Sequence, residues 1–130
     1  MKRTVEETVA FRLEKSVTDF DAANTLAIAQ SWSGAVNRLY YASFHAVSAL
    51  LLLSGIRVKS HSGAKAMLDL HFVKTGKLPV EWGKFYASIF TDRNDSDYED
   101  FAVFTADDVL PLLPQTQEFI DVIKRLTTIE

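Results

Sequence analysis

Apolar residues in the first thirty positions recur at helical spacing. Val9, Leu13, Val17, Phe20 and Ala27 fall on one face, with Glu14, Lys15, Asp19 and Asp21 between them. A side chain returns to the same helix face after three or four positions, so the pattern predicts an amphipathic helix. Thr4 and Glu7 form a T-x-x-E capping box that starts it, and it runs to about Ala29. The polar break Gln30–Gly34 offers Ser31 or Ser33 as the next cap. A second helix, about Gly34 to Ser54, is apolar on nearly every face and is therefore expected at the centre of the fold. Gly55 ends it as a C-cap residue. After a short linker to His61, a third helix of about Ser62 to Thr75 carries Met67, Leu68, Phe72 and Val73, and Gly76 closes it. Pro79 suits the first turn of a fourth helix that carries Trp82, Phe85, Tyr86, Ile89 and Phe90. The segment Thr91–Asp100 is polar and turn-prone toward its end. Thr105 and Asp108 mark another capped start. The last helix carries Leu112, Leu113, Phe119, Ile120, Ile123 and Leu126, and Pro111 and Pro114 kink it or delay its onset. Val and Ile never alternate with polar residues over a strand length. The expected fold is all-α, an up-and-down bundle of about four to five helices, in a single domain over residues 1–130.

Composition narrows the function classes. At 48% hydrophobic residues the chain can bury a core, and five Gly with three Pro disfavour a sandwich or barrel. Cysteine is absent, which excludes disulfides, thiolate metal sites and a cysteine nucleophile. The greasiest stretch, Tyr40–Leu53, contains Ser43, His45 and Ser48 and falls short of the ~20 apolar residues that span a bilayer. The N-terminus lacks the apolar core of a signal peptide, so the reading is a soluble, cytoplasmic protein with no membrane partner. A net charge of −3 argues against coating nucleic acid by charge alone. That total hides a split. Arg57, Lys59, Lys65, Lys74, Lys77 and Lys84 face only Asp69 and Glu81, whereas Asp92–Asp108 holds seven acidic residues against only Arg93. A basic stretch is either a solvated face or a reader of phosphate, so a nucleic-acid partner is confined to a local cleft.

Candidate chemistry lies in two places. Arg38, Tyr41, His45 and Ser48 form one stripe on the apolar central helix. Burying such groups unpaired is expensive. Either acidic residues of neighbouring helices satisfy them, or the stripe opens on a cleft where Arg38 binds phosphate and His45 moves a proton. Arg93, Asp97 and Tyr98 form the second place. Arg93 is either in an ion pair that holds the helix end, or a phosphate clamp oriented by Asp97 with Tyr98 stacking or donating a hydrogen bond. Asp92, Asn94 and Ser96 fit the opening of a calcium loop, but Asp97 stands where Gly is required and Val103 where the closing Glu belongs. No helix carries the Glu-x-x-His of a di-iron bundle, and His61 and His71 have no evident third ligand. No metal and no cofactor are expected.

The blocks Asn37-Arg38-Leu39-Tyr40-Tyr41-Ala42-Ser43-Phe44-His45-Ala46, Ala49-Leu50-Leu51, Lys59-Ser60-His61-Ser62-Gly63 and Phe72-Val73-Lys74-Thr75-Gly76 occur in that order, followed by Arg93, Asp97-Tyr98 and Asp100-Phe101. Together they resemble the HEPN domain family, in its prokaryotic branch with an N-R-x-Y-Y-A helix, from about Leu13 to Ile123. The resemblance implies a helical bundle that forms homodimers with a cleft between protomers. It implies a ribonuclease toxin or an RNA-binding module, often paired with a minimal nucleotidyltransferase as antitoxin. Nuclease members place a His a few residues after an Arg and cleave RNA without metal, with the 2′-hydroxyl as nucleophile. Arg93 matches that Arg, but Tyr98, Glu99 and Asp100 occupy the positions where the His is expected. Arg38 and His45 satisfy Arg-x6-His formally, on the wrong helix. The reading is therefore a HEPN-like module, the toxin-like member of a toxin–antitoxin pair, that binds RNA or nucleotide in a homodimer cleft. That cleft is expected to use Arg38, Tyr41, His45, Lys59, His61, Arg93, Asp97 and Tyr98. The alternatives are an active metal-independent endoribonuclease with an altered motif, and an interaction module that partners a nucleotidyltransferase.

Overall fold

In the computed structural model, Thr4 and Glu7 close their capping box as the spacing requires. The Glu7 amide donates to Thr4 Oγ1 at 3.0 Å and the Thr4 amide to the Glu7 carboxylate at 2.9 Å. Helix α1 (Val5–Ile28) follows. The structure describes residues 3–97 and 103–128, with the side chains of 95–97 outside that description. The end of α1 is a Schellman turn without glycine. Gln30 takes φ 62°, its amide donates to Ala27 O at 3.0 Å, and the Ser31 amide donates to Leu26 O at 2.8 Å.

The turn is so short that helix α2 (Trp32–Leu53) must run back along α1. Cross-helix contacts establish the antiparallel register. Arg12 reaches Ser48, the Ser16 hydroxyl donates to Ala42 O at 2.6 Å, and Asp19 meets Arg38. Helix α2 begins at Trp32, two residues before the sequence expectation, and Ser31 caps it without a side-chain bond. Gly55, at φ 77°, ends it in a second Schellman turn, with Ile56 N–H on Leu51 O at 2.9 Å.

Helix α2 is the core, as its apolar run predicts. Leu39, Tyr40, Ala42, Ala46, Val47, Ala49 and Leu51 are fully buried. It packs against α1, against α4 (Val80–Asp97) and against α6 (Leu112–Thr128). Tyr40, Tyr86 and Phe119 stack through the centre, with Tyr86 and Phe119 at 5.6 Å and 10°. Among the described residues every regular element is helical.

Two local expectations change. The buried face of α1 is Val9, Ser16, Asp19, Ala23 and Ala27, while Val17 is exposed. Polar Ser16 and Asp19 turn inward because α2 supplies their hydrogen-bond partners. The third helix is α only over His61–Leu68 (α3) and continues as a π turn, Asp69–Val73, with Lys74 N–H on Asp69 O at 2.8 Å. Helix α4 continues through Thr91 to Asp97, and the end of the polar segment, expected to turn, lies outside the described residues. In the last turns of α4, Arg93 donates to Tyr41 of α2. Pro111 delays the final helix. A single turn, Ala106–Val109 (α5), precedes it, and α6 starts at Leu112 with Pro114 in its first turn.

Candidate functional site

Helix α2 presents a continuous polar and aromatic stripe, and each neighbouring element adds to it. From α1 comes Asp19. Its Oδ1 accepts from Arg38 Nη1 at 3.1 Å, and its Oδ2 lies 3.3 Å from His45 Nε2. Arg38 also donates to Asn37 Oδ1 at 2.9 Å and lies 4.9 Å above the Tyr41 ring. The two residues of the formal Arg-x6-His thus converge on one nearly buried carboxylate. Burial pulls the His45 imidazole below its usual value. Asp19 opposes the shift, and Lys15, Arg12 and Arg38 add to it. At neutral pH the ring is uncharged.

From α4 comes Arg93. Its Nη2 donates to Tyr41 Oη at 2.9 Å and its Nη1 to Asn94 Oδ1 at 3.1 Å. The guanidinium sits 5.5 Å from the Tyr40 ring centre and 5.4 Å from that of Tyr41. Tyr40 Oη is 2.8 Å from Nδ1 of His61, the first residue of α3, and the His61 ring rests on Phe44 at 4.4 Å. Burial pushes the Tyr40 phenol up to about 12. Burial and the charge of Arg93 hold His61 below its usual value. Tyr40 therefore keeps its proton, and His61 is neutral near pH 7. A guanidinium set over aromatic rings near an imidazole can bind phosphate.

The sequence-derived residues divide into three sets. Arg38, Tyr41 and Arg93 share the cluster on one end of the stripe. His45, Lys59 and His61 line an open groove of about 750 Å³, and His61 also reaches the Arg93 cluster through Tyr40 and Tyr41. The Asp97 side chain and all of Tyr98 lie outside the described residues. Sequence reasoning missed Asp19 and Arg12 as partners of the stripe, along with the roles of Tyr40 and Phe44. The signal for the first two was the short α1–α2 turn, which sets Asp19 opposite Arg38 and Arg12 opposite Ser48. Among the described residues no group of three carboxylates or imidazoles gathers to hold a metal ion.

The HEPN domain family model matches residues 9–126. The chain belongs to the HEPN family. A UPF0332 protein of Thermotoga maritima is 41% identical over 106 residues, covering 82% of this chain and 80% of its own. Two Methanocaldococcus jannaschii proteins bear the name "Putative toxin". One is 34% identical over 98 residues, 75% of this chain and 64% of its own. The other is 27% identical over 125 residues, 96% and 92%. Arg93, expected from the sequence to match the family's nuclease Arg, is held in the structure by Tyr41 of α2. No helix of this HEPN domain, among the described residues, is long and apolar enough to cross a membrane.

Proposed function

We propose that this HEPN domain is the toxin-like component of a toxin–antitoxin pair and binds RNA or a nucleotide in the cleft of a homodimer. The observation that carries the reading is Arg93, held against the faces of Tyr40 and Tyr41 with His61 beside it. Such a guanidinium is oriented before the ligand arrives, so little side-chain freedom is lost on binding phosphate. The toxin role is supported by the names of the Methanocaldococcus relatives. The homodimer and a nucleotidyltransferase-type antitoxin rest on the family alone. In titrations with a labelled oligoribonucleotide, Arg93→Ala is expected to weaken binding about tenfold or more, the scale of one charge-assisted bond. Unchanged affinity in a folded variant refutes the reading.

A second reading is a metal-independent ribonuclease with a rearranged centre. It is favoured by two neutral imidazoles on one face, His45 against Asp19 and His61 against Tyr40. A neutral imidazole can take the proton of a 2′-hydroxyl. RNA cleavage that persists in chelator and falls about a hundredfold in His61→Ala supports it. No cleavage at enzyme excess removes it.

A further inference from the structure

A groove beside the Arg93 cluster shares His61 with it and extends away from it along α1. It lies between the first half of α1, the last turns of α2 and the loop into α3. Five permanent cations line it: Arg3, Arg12, Lys15, Arg57 and Lys59. No carboxylate is among its described lining residues, although the chain as a whole carries −3. At physiological salt, charge is felt over only about 8 Å, so this local excess governs what the groove attracts.

Two details give the groove a built interior. Arg12 Nη1 donates to Ser48 Oγ at 2.9 Å and approaches Ser48 O at 3.3 Å, which ties the guanidinium to the groove wall. Both contacts use one nitrogen of a group with five donors, so the fork still presents hydrogens to an anion. At the rim, the exposed ring of Phe11 lies under the Arg3 guanidinium at 4.6 Å, with Lys15 Nζ at 5.9 Å. A part-exposed aromatic ring between cations suits an unpaired base and its phosphates, the base displacing the Arg3 guanidinium from the ring. A duplex hides its base faces and has no use for Phe11.

We propose that this groove is a binding track for single-stranded RNA. Arg12, Lys15, Arg57 and Lys59 follow the phosphates and Phe11 stacks a base. The assignment rests on the RNA-binding reading above and extends it to a surface about α1 that the family's Arg position does not touch.

The test uses the full chain and a labelled single-stranded oligoribonucleotide, with the same sequence as duplex RNA and as single-stranded DNA in parallel arms. Lys15 and Arg57 are both exposed, so Lys15→Glu with Arg57→Glu removes no packing. The double variant is expected to lose at least tenfold in affinity, and its log–log salt slope should flatten by about 1.4 if both cations meet phosphates. Phe11→Ala should lose about tenfold on both single strands, with the slope kept and duplex binding unmoved. Wild-type binding with neutral groove variants overturns the track while leaving the Arg93 reading intact. Equal affinity for duplex and single strand also overturns it, as does displacement of the RNA by polyglutamate at equal charge. A wild-type chain that binds no RNA at all overturns both readings.

Discussion

Asp19 joins two helices through two different bases, and its removal leaves both Arg38 and His45 without that carboxylate. Asp19→Ala is expected to lower unfolding stability by about 1–3 kcal/mol, the usual cost of orphaning partly buried polar groups. Urea denaturation at pH 7 checks this, and Asp19→Asn should recover part of the loss because its amide oxygen still accepts from Arg38. The two imidazoles add a pH dependence whose sign follows from their environment. Both His45 and His61 are held below their usual value, chiefly by burial. The unfolded chain therefore takes up these protons first as pH falls. Their contribution to stability is complete above about pH 6.5 and is lost progressively below it. Thermal melts from pH 7.5 to 5 should show the midpoint falling with acid, and His45→Gln should flatten the curve. A midpoint that rises on acidification contradicts the assignment.

At the scale of elements, the helix ends carry the clearest stability predictions. Gln30 adopts a left-handed backbone that only glycine takes without strain. Gln30→Gly should stabilise the protein by about 1 kcal/mol, since it relieves αL strain at a Schellman position. The opposite result is expected at Gly83. A Cβ there would stand 2.9 Å from Val73 Cγ2, where α4 crosses the π turn. Gly83→Ala should therefore destabilise by about 1–3 kcal/mol through overpacking. Denaturant midpoints for the pair should move in opposite directions. The π turn itself has no hallmark in composition. Met67, Leu68, Phe72 and Val73 keep helical spacing, and the turn is distinguished from an α-helix by its backbone bond from Lys74 N–H to Asp69 O, where Val73 packs against Gly83.

At the scale of the molecule, charge is arranged by face, so its total says little. The net −3 coexists with a groove lined by five cations, while Asp92–Asp108 holds seven of the seventeen acidic residues against Arg93 alone. If the chain is a homodimer, light scattering should return twice 14.6 kDa. A mass fixed at 14.6 kDa across dilution removes the cleft between protomers from the proposed function.

The all-helical fold, the central place of α2 and the identity of most of the core followed from hydrophobic spacing, because a helix repeats every 3.6 residues whatever it packs on. The capping box at Thr4 and the stop at Gly55 followed from local hydrogen bonding and backbone strain. Recognition of the Arg38–His45 stripe was also local, since one helix holds it. Its partners were not. Asp19 reads as a polar-face residue until α2 is laid against α1, and Arg12 reads as solvent-facing until Ser48 is opposite it. Arg93 is more than fifty residues from Tyr41, and Arg3 is further still from Lys59 in sequence. Such pairings depend on how helices cross, a long-range property that periodicity along one helix does not encode.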